Sequence, residues 1–246
     1  MSIIKKLAGI FKCRKAKKFT SAIIVAGGSG TRLGSEIPKQ HLLLDGCEVV
    51  VHSMLAFEKS GLVDEIIVVC RRGEEGLYDS YKEKYNIRKL KVAVEGGSVR
   101  SESALRGFEA ISPESKYVAI HDAARCLVSV EDIDKVIRTA YKYRCATAAI
   151  KCTDTVKLCD SDGFIKETLD REKLYLAATP QVFERKIYMT CAYSAKKDQA
   201  VVTDDNSLAE RLGFKVKLVD CMSTKIKITH PDDLIIAEGV IRNSLQ

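Results

Sequence analysis

The sequence predicts an α/β protein with a doubly wound, mostly parallel sheet. Three observations carry that expectation. Short apolar runs suited to buried strands alternate with amphipathic stretches suited to helices. The connections between them are short. Helix starts carry hydroxyl-and-acid capping signals. With 246 residues, 46% hydrophobic and 30% charged, the chain has ample core for one large domain or two small ones.

Residues 1–18 stand apart from that pattern. They hold seven cations (Lys5, Lys6, Lys12, Arg14, Lys15, Lys17, Lys18) and no acid, and Ile3, Ile4, Leu7, Ile10 and Phe11 fall on one helical face. Two readings stay open for this extension. It is a disordered basic tail, or a short amphipathic helix that touches an anionic membrane surface or a partner. Charge interrupts the apolar stretch, which argues against a secretory signal. The net charge of +7 resides here, because residues 19–246 are formally neutral. The body is therefore no nucleic-acid binder by global charge.

From residue 19 the alternation is regular. Strand candidates are 22–26, 65–70, 90–94, 117–121, 146–150, 215–219 and 225–228. Helical patterns lie at about 48–60, 74–85, 100–111, 131–143, 184–195, 204–213 and 231–242. Ser129-Val-Glu-Asp132 places an acid three residues after a capping hydroxyl, and Thr229-His-Pro-Asp232 repeats this with proline in the first turn. Residues 151–173 break the rhythm. Two polar segments flank Asp160-Ser161-Asp162-Gly163, a strong turn signal, so an arm-like hairpin is expected to project from the core. Such an arm suits a subunit interface and an oligomer. The nine cysteines form no CxxC pair and no zinc-spaced Cys/His cluster, which fits reduced, mostly buried thiols in a cytoplasmic protein. No apolar run approaches the ~18 residues of a membrane-spanning helix.

Three stretches carry chemistry. The first strand empties into Ala26-Gly27-Gly28-Ser29-Gly30-Thr31, followed by Arg32, Gly34 and Lys39. Glycine lets backbone N–H groups close on a ligand, and two cations beside such a loop suit a polyphosphate. The P-loop pattern fails, since Gly34 precedes Ser35-Glu36, and the dinucleotide pattern fails by one residue of spacing. Arg32 and Lys39, with Pro38 stiffening the approach, could neutralise charge that builds as pyrophosphate departs. The second stretch is Gly96-Gly97, followed by Ser98, Arg100 and Ser103, at the carboxyl end of a strand where α/β sheets bind ligands. The third is His121-Asp122-Ala123-Ala124-Arg125. Asp122 emerges from a buried strand beside both loops, a natural Mg2+ ligand. A turn or cap role is the alternative for a lone aspartate there. His41 and His52 sit in helix-like stretches and read as structural.

The set AGGSGTRLG…PKQ, EGG…R..S, HDAAR, TDTVK, DR.KL…TPQ.F, TDD.S and KIKIT.P.DL resembles the 2-C-methyl-D-erythritol 4-phosphate cytidylyltransferase family over residues 20–242, in order. The resemblance implies a Rossmann-like fold of the nucleotidyltransferase type. It implies CMP transfer from the co-substrate CTP to the sugar-alcohol phosphate, with release of pyrophosphate, in non-mevalonate isoprenoid synthesis. Mg2+ and a homodimer whose arm completes the neighbour's site come with it.

By the same resemblance, Arg32 and Lys39 stabilise the pentacoordinate α-phosphate and Ala26 to Thr31 cradle the triphosphate. Gly97, Ser98 and Ser103, with Arg100 and Ala123, face CTP, and Asp122 lies near metal and ribose. Arg125, Thr155, Arg171 and Thr179 bind the sugar phosphate, and Lys227 positions the second substrate. The rival is ribitol-5-phosphate cytidylyltransferase, whose members read HDSVRP and lack the pattern of Asp170-Arg171 to Leu174. A non-catalytic nucleotide-binding relative is a third reading. Three departures stand out: Cys126 replaces a proline that could stiffen the Arg125 loop, Lys225 replaces an asparagine, and the basic extension has no family counterpart.

Overall fold

Both faces of the central strand are covered, and the rest of the architecture follows from that. The structure, a computed structural model, describes residues 18–28, 37–224 and 226–244. Expectations placed on residues 1–17, Ser29, Gly30, Thr31, Arg32 and Lys225 lie outside the described residues.

Thr20–Val25 forms β1, TSAIIV, buried along almost its whole length. A near-continuous apolar run suits a parallel strand sandwiched by helices. The chain continues through α1 (Val49–Lys59), β2 (Glu65–Cys70), α2 (Glu75–Lys84), β3 (Leu90–Glu95) and α3 (Arg100–Glu109). Then come β4 (Tyr117–Asp122), α4 (Val130–Tyr143) and β5 (Cys145–Lys151). A hairpin of β6 (Lys157–Cys159) and β7 (Ile165–Thr168) precedes β8 (Tyr175–Glu184) and α5 (Arg185–Lys197). The described chain closes with α6 (Asp205–Arg211), β9 (Lys217–Asp220) and α7 (Pro231–Ser244).

Seven strands make one sheet in the order β9-β5-β8-β4-β1-β2-β3. All neighbours are parallel except β8, which runs antiparallel between β4 and β5. The period of two along β1 sorts its side chains into two layers. Ala22 and Ile24 pack with Met54 and Phe57 of α1 and Val136 of α4. Ile23 packs with Leu105 and Phe108 of α3 and Tyr188 of α5. Helices on both faces of a mostly parallel sheet are the doubly wound α/β architecture.

The antiparallel β8 was not among the expected strands, for a physical reason. Its sequence carries Pro180, which has no N–H to give a ladder and argues against a central strand. The proline falls inside a register shift between Ala177 and Gln181, so the pairing to β5 skips it. The reverse error occurs at 225–228. The described residues there form no strand. Ile228 is instead fully buried against Leu44, Ala124 and Ala237, and its N–H donates to the Ala124 carbonyl at 2.8 Å.

In the hairpin, Asp160 Oδ1 accepts the Asp162 and Phe164 N–H groups at 3.1 and 2.9 Å, and Gly163 adopts φ +87°. That left-handed value suits glycine, which has no Cβ to clash. Ser129 caps α4 by accepting the Asp132 N–H at 3.1 Å. At α7 the cap differs from expectation. Asp233, not Asp232, accepts the Thr229 and His230 N–H groups at 2.7 and 2.8 Å. The Thr229 hydroxyl turns back to donate to the Lys227 carbonyl. All described cysteines are free, and Cys70, Cys126, Cys145, Cys191 and Cys221 are buried. Among the described residues no helix is long and apolar enough to cross a membrane.

Candidate active site

The carboxyl ends of β1, β3 and β4 open onto one cavity of about 410 Å³. That volume and that place suit a nucleotide-sized ligand. The turn after β1 is one wall: Ala26 donates to the Val69 carbonyl at 2.7 Å, and Gly27 and Gly28 line the space. The turn after β3 is the opposite wall. A Cβ on Gly96 would lie 2.9 Å from Ser103 Oγ and 3.2 Å from the Val69 side chain, so glycine is required for this close approach. Ser103 Oγ in turn accepts the Gly97 N–H at 3.0 Å. Ser98 is fixed by Glu102, whose Oε2 accepts its N–H at 2.8 Å and its hydroxyl at 2.9 Å.

Asp122 stands between the walls at the end of β4, with Ala123 and Ala124 beside it. Its Oδ1 accepts from Arg100 Nε at 3.0 Å and its Oδ2 from Lys227 Nζ at 2.7 Å. Burial alone would push this carboxyl up. The Arg100 and Lys227 cations outweigh burial and hold it well below the usual carboxylate range. Lys39 reaches the same cavity, with its ammonium donating to the Ile228 carbonyl at 2.9 Å. Lys39 and Lys227 are thus brought together by the buried segment around Ile228. Three cations and one carboxylate in a single cleft make a site for a strongly anionic ligand.

Among the described residues no three carboxylates, imidazoles or thiols gather to hold a metal ion. Asp122 is the carboxylate in the described lining that a Mg2+ arriving on phosphate oxygens would use, sharing oxygens that here accept from Arg100 and Lys227.

Several expected ligands are engaged by protein partners or lie outside the cavity lining. Arg100 lines the cavity, but its guanidinium is taken by Asp122 and, at 2.6 Å from Nη1, by Asp205. It ties the start of α3 to Asp122 and Asp205 while lining the cavity. Thr179 is 3% exposed. Its hydroxyl accepts the Asp122 N–H at 3.1 Å and pairs with His121 Nδ1 at 3.0 Å, so it supports Asp122 from behind. Burial brings the His121 imidazole down to about 4, which keeps it neutral. Arg125 sits beside the cavity, donating to the Ala177 carbonyl at 3.4 Å. Thr155 and Arg171 belong to the exposed hairpin segment, where Arg171 donates to the Thr153 carbonyl at 3.0 Å, and neither lines the cavity of its own chain. Cys126, in the place of the family's proline, is buried with Leu44, Ala124 and Ile228, and burial pushes its thiol up to about 12.

Two residues were missed. Gln40 lines the cavity while 2% exposed, and its Nε2 has no hydrogen-bond partner among the described residues. Its position in the PKQ run was the available signal. Asp205 contacts Arg100 across more than a hundred residues, which no local pattern reveals.

The geometry can be set beside known proteins. A family model described as 2-C-methyl-D-erythritol 4-phosphate cytidylyltransferase matches residues 20–243. A protein of that name from Pelotomaculum thermopropionicum is 41% identical over 223 residues, covering 90% of this chain and 94% of the relative. Another from Syntrophus aciditrophicus is 40% identical over 222 residues, covering 90% and 95%. The crystal structure of 4-diphosphocytidyl-2C-methyl-D-erythritol synthase from Anaerococcus prevotii superposes with a TM-score of 0.82 at 32% identity, covering 92% of this chain and 99% of that one. Matches of this extent span the sheet, both glycine turns, Asp122 and Lys227, and the chain belongs to the 2-C-methyl-D-erythritol 4-phosphate cytidylyltransferase family.

Proposed function

We propose that this enzyme transfers CMP from CTP to 2-C-methyl-D-erythritol 4-phosphate in isoprenoid precursor synthesis. A phosphate oxygen of the acceptor attacks the α-phosphorus of CTP. One P–O bond forms, the bond to the β-phosphate oxygen breaks, and pyrophosphate leaves with the electron pair. The observation that carries this reading is the meeting of Lys39, Lys227 and Asp122 with two glycine turns in one cavity.

The nucleophile is a phosphate monoester with a second pKa of ~6, already mostly dianionic at pH 7, so no general base is needed. The difficulty is repulsion between two anions, which fixed cations relieve while holding the reactants in line. Lys39 and Lys227 supply that charge in the described site, and the family resemblance adds Arg32 to them. Gly97, Ser98 and Ser103 hold the nucleoside, and the Ala26–Gly28 backbone the phosphates. Asp122 would hold Mg2+ together with phosphate oxygens, and the ion would supply further neutralisation of the triphosphate.

Arg171 and Thr155 reach the acceptor from the neighbour's hairpin in a homodimer. Phe164 (73% exposed) and Ile165 of the hairpin, with Leu176 at the start of β8, give an apolar surface for a second copy to cover. The enzyme works in the cytoplasm, where its free thiols stay reduced. Its basic extension makes a weak contact with an anionic membrane or partner. Sedimentation with anionic vesicles, with and without residues 1–17, tests the membrane contact; equal sedimentation of both forms rules it out.

Pyrophosphate release from CTP, measured with 2-C-methyl-D-erythritol 4-phosphate and with ribitol 5-phosphate, tests the reaction itself. The methylerythritol substrate should turn over far faster. The opposite order would reassign the acceptor, and CTP binding without turnover of either would mark a non-catalytic relative.

A further inference from the structure

Gln181 of the TPQ.F run and the aspartate pair that opens α6 lie outside the cavity lining. The two aspartates divide the work. Asp204 is the helix cap: its Oδ1 accepts the Ser207 N–H at 3.0 Å and hydroxyl at 2.7 Å. Gln181 Oε1 accepts the N–H groups of Asp205 and Asn206 at 3.0 and 3.2 Å, and Gln181 Nε2 donates to Asp204 Oδ2 at 2.9 Å. The start of α6 is thereby satisfied without the Asp205 side chain.

The Asp205 carboxylate is 1% exposed and turned the other way. Its Oδ2 lies 2.6 Å from Arg100 Nη1, and its Oδ1 accepts the Tyr188 hydroxyl at 3.2 Å. Tyr188 is 1% exposed and wedged against Phe108 and Phe183, with ring centroids 5.0 and 5.7 Å away. The other side of the Arg100 guanidinium meets Asp122 at 3.0 Å. A chain of contacts thus runs from the core to the cavity: Tyr188, Asp205, Arg100, Asp122, Lys227. A planar guanidinium gripped at two points has its orientation set, which a single carboxylate would leave loose. Burying a carboxylate is unfavourable unless it is paired, and here the pair bridges α6, α3 and the end of β4.

We propose that Asp205, anchored by Tyr188, is a positioning residue for the transfer reaction: it aims Arg100 at Asp122 and so sets the carboxylate that faces Lys227. The inference rests on the CMP-transfer reading. Asp205 does not line the cavity, so any effect it has on turnover passes through Arg100 and Asp122.

A double-mutant cycle separates this role from a general contribution to folding. kcat/KM for CTP is measured for the wild type, Asp205→Asn, Asp122→Asn and the double variant, with calorimetric CTP affinity and Tm in parallel. Residues coupled in one network share their losses, by factors from about two to about a hundred. Asp205→Asn should lower kcat/KM about tenfold in the native background and less than about twofold in the Asp122→Asn background. KM for the acceptor should stay unchanged. Equal fold-losses in both backgrounds would overturn the proposal. If Asp205→Asn does not fold, Tyr188→Phe removes one hydrogen bond and keeps the ring; its loss of about threefold should likewise vanish beside Asp122→Asn, and persistence of that loss overturns the proposal. A wild-type protein that neither binds CTP nor turns it over defeats the underlying reading; a working wild type with multiplying losses defeats the positioning role alone.

Discussion

The nucleotide cavity and the hairpin at residues 157–168 are built to opposite rules. Around the cavity, among the described residues, the charged and hydroxyl side chains are paired inside one chain. Asp122 is gripped by two cations and, through its N–H, by Thr179; Ser103 holds Gly97; Asp205 holds Arg100. The strands of the hairpin are exposed along their whole length, with Phe164 and Ile165 standing out in solvent. Yet Thr155 and Arg171 flank this hairpin, one just before its first strand and one just after its second. In the proposed homodimer, one chain would complete the half of the site that takes a nucleotide, and the acceptor half would be completed by a second copy. A preorganised wall suits a charge-stabilised reaction, since donors fixed in advance need no reorganisation when the reaction occurs.

The cations of the cavity should give the largest effect when removed. Lys39→Ala or Lys227→Ala should lower kcat by about a hundredfold or more, because one such charge donor is typically worth ~3 kcal/mol. Steady-state kinetics checks this, with unchanged circular dichroism as the control. Near-normal kcat in both variants would remove the charge clamp. Ser103→Ala should act more gently. Losing the acceptor for the Gly97 N–H costs about 1 kcal/mol, so KM for CTP should rise by about fivefold with kcat little changed. Equal losses in KM for both substrates would show that the two halves are not separable.

A smaller effect follows from His121. Burial lowers its folded pKa to about 4, beneath the ordinary value of 6.5. Between those values the unfolded chain binds more protons than the folded one, so stability should be full above pH 6.5 and fall as pH drops toward 4. Asp122, depressed by its cations after overcoming burial, adds a further loss at lower pH, below the ordinary carboxylate value of 3.8. Denaturant midpoints at pH 7 and pH 5 should therefore differ by an amount worth about 1–3 kcal/mol. In a His121→Asn variant that difference should shrink. A flat profile in the wild type would mean that the imidazole behind the site is not held neutral.

Much of this was legible in the residues alone, and the exceptions share a cause. Glycine turns, the Asp160–Gly163 hairpin turn and the Ser129 cap depend on a few neighbours in the chain, and their sequence patterns carry them. Asp122 and Lys227 were singled out by their motifs, and the structure pairs them in one cavity. The β8 strand was not, because Pro180 argues locally against a strand while the sheet accommodates it through a register shift. The apolar alternation of Ile226 and Ile228 imitated a strand, although its use is to pack beneath Ala124. The roles of Thr179 and Asp205 arise only when β8, α3 and α6 converge, so no window of sequence contains them.

The division between the halves is tested most directly by a heterodimer. One chain carries Lys39→Ala and the other Arg171→Ala, each bearing a different tag so that the mixed species can be purified. Each homodimer should be crippled. In the heterodimer, the Arg171→Ala chain keeps its nucleotide half and receives an intact hairpin from its partner, so one site of two is complete. About half of wild-type activity per dimer is the expected result. A heterodimer no more active than its parents would place both halves in the same chain and contradict the account.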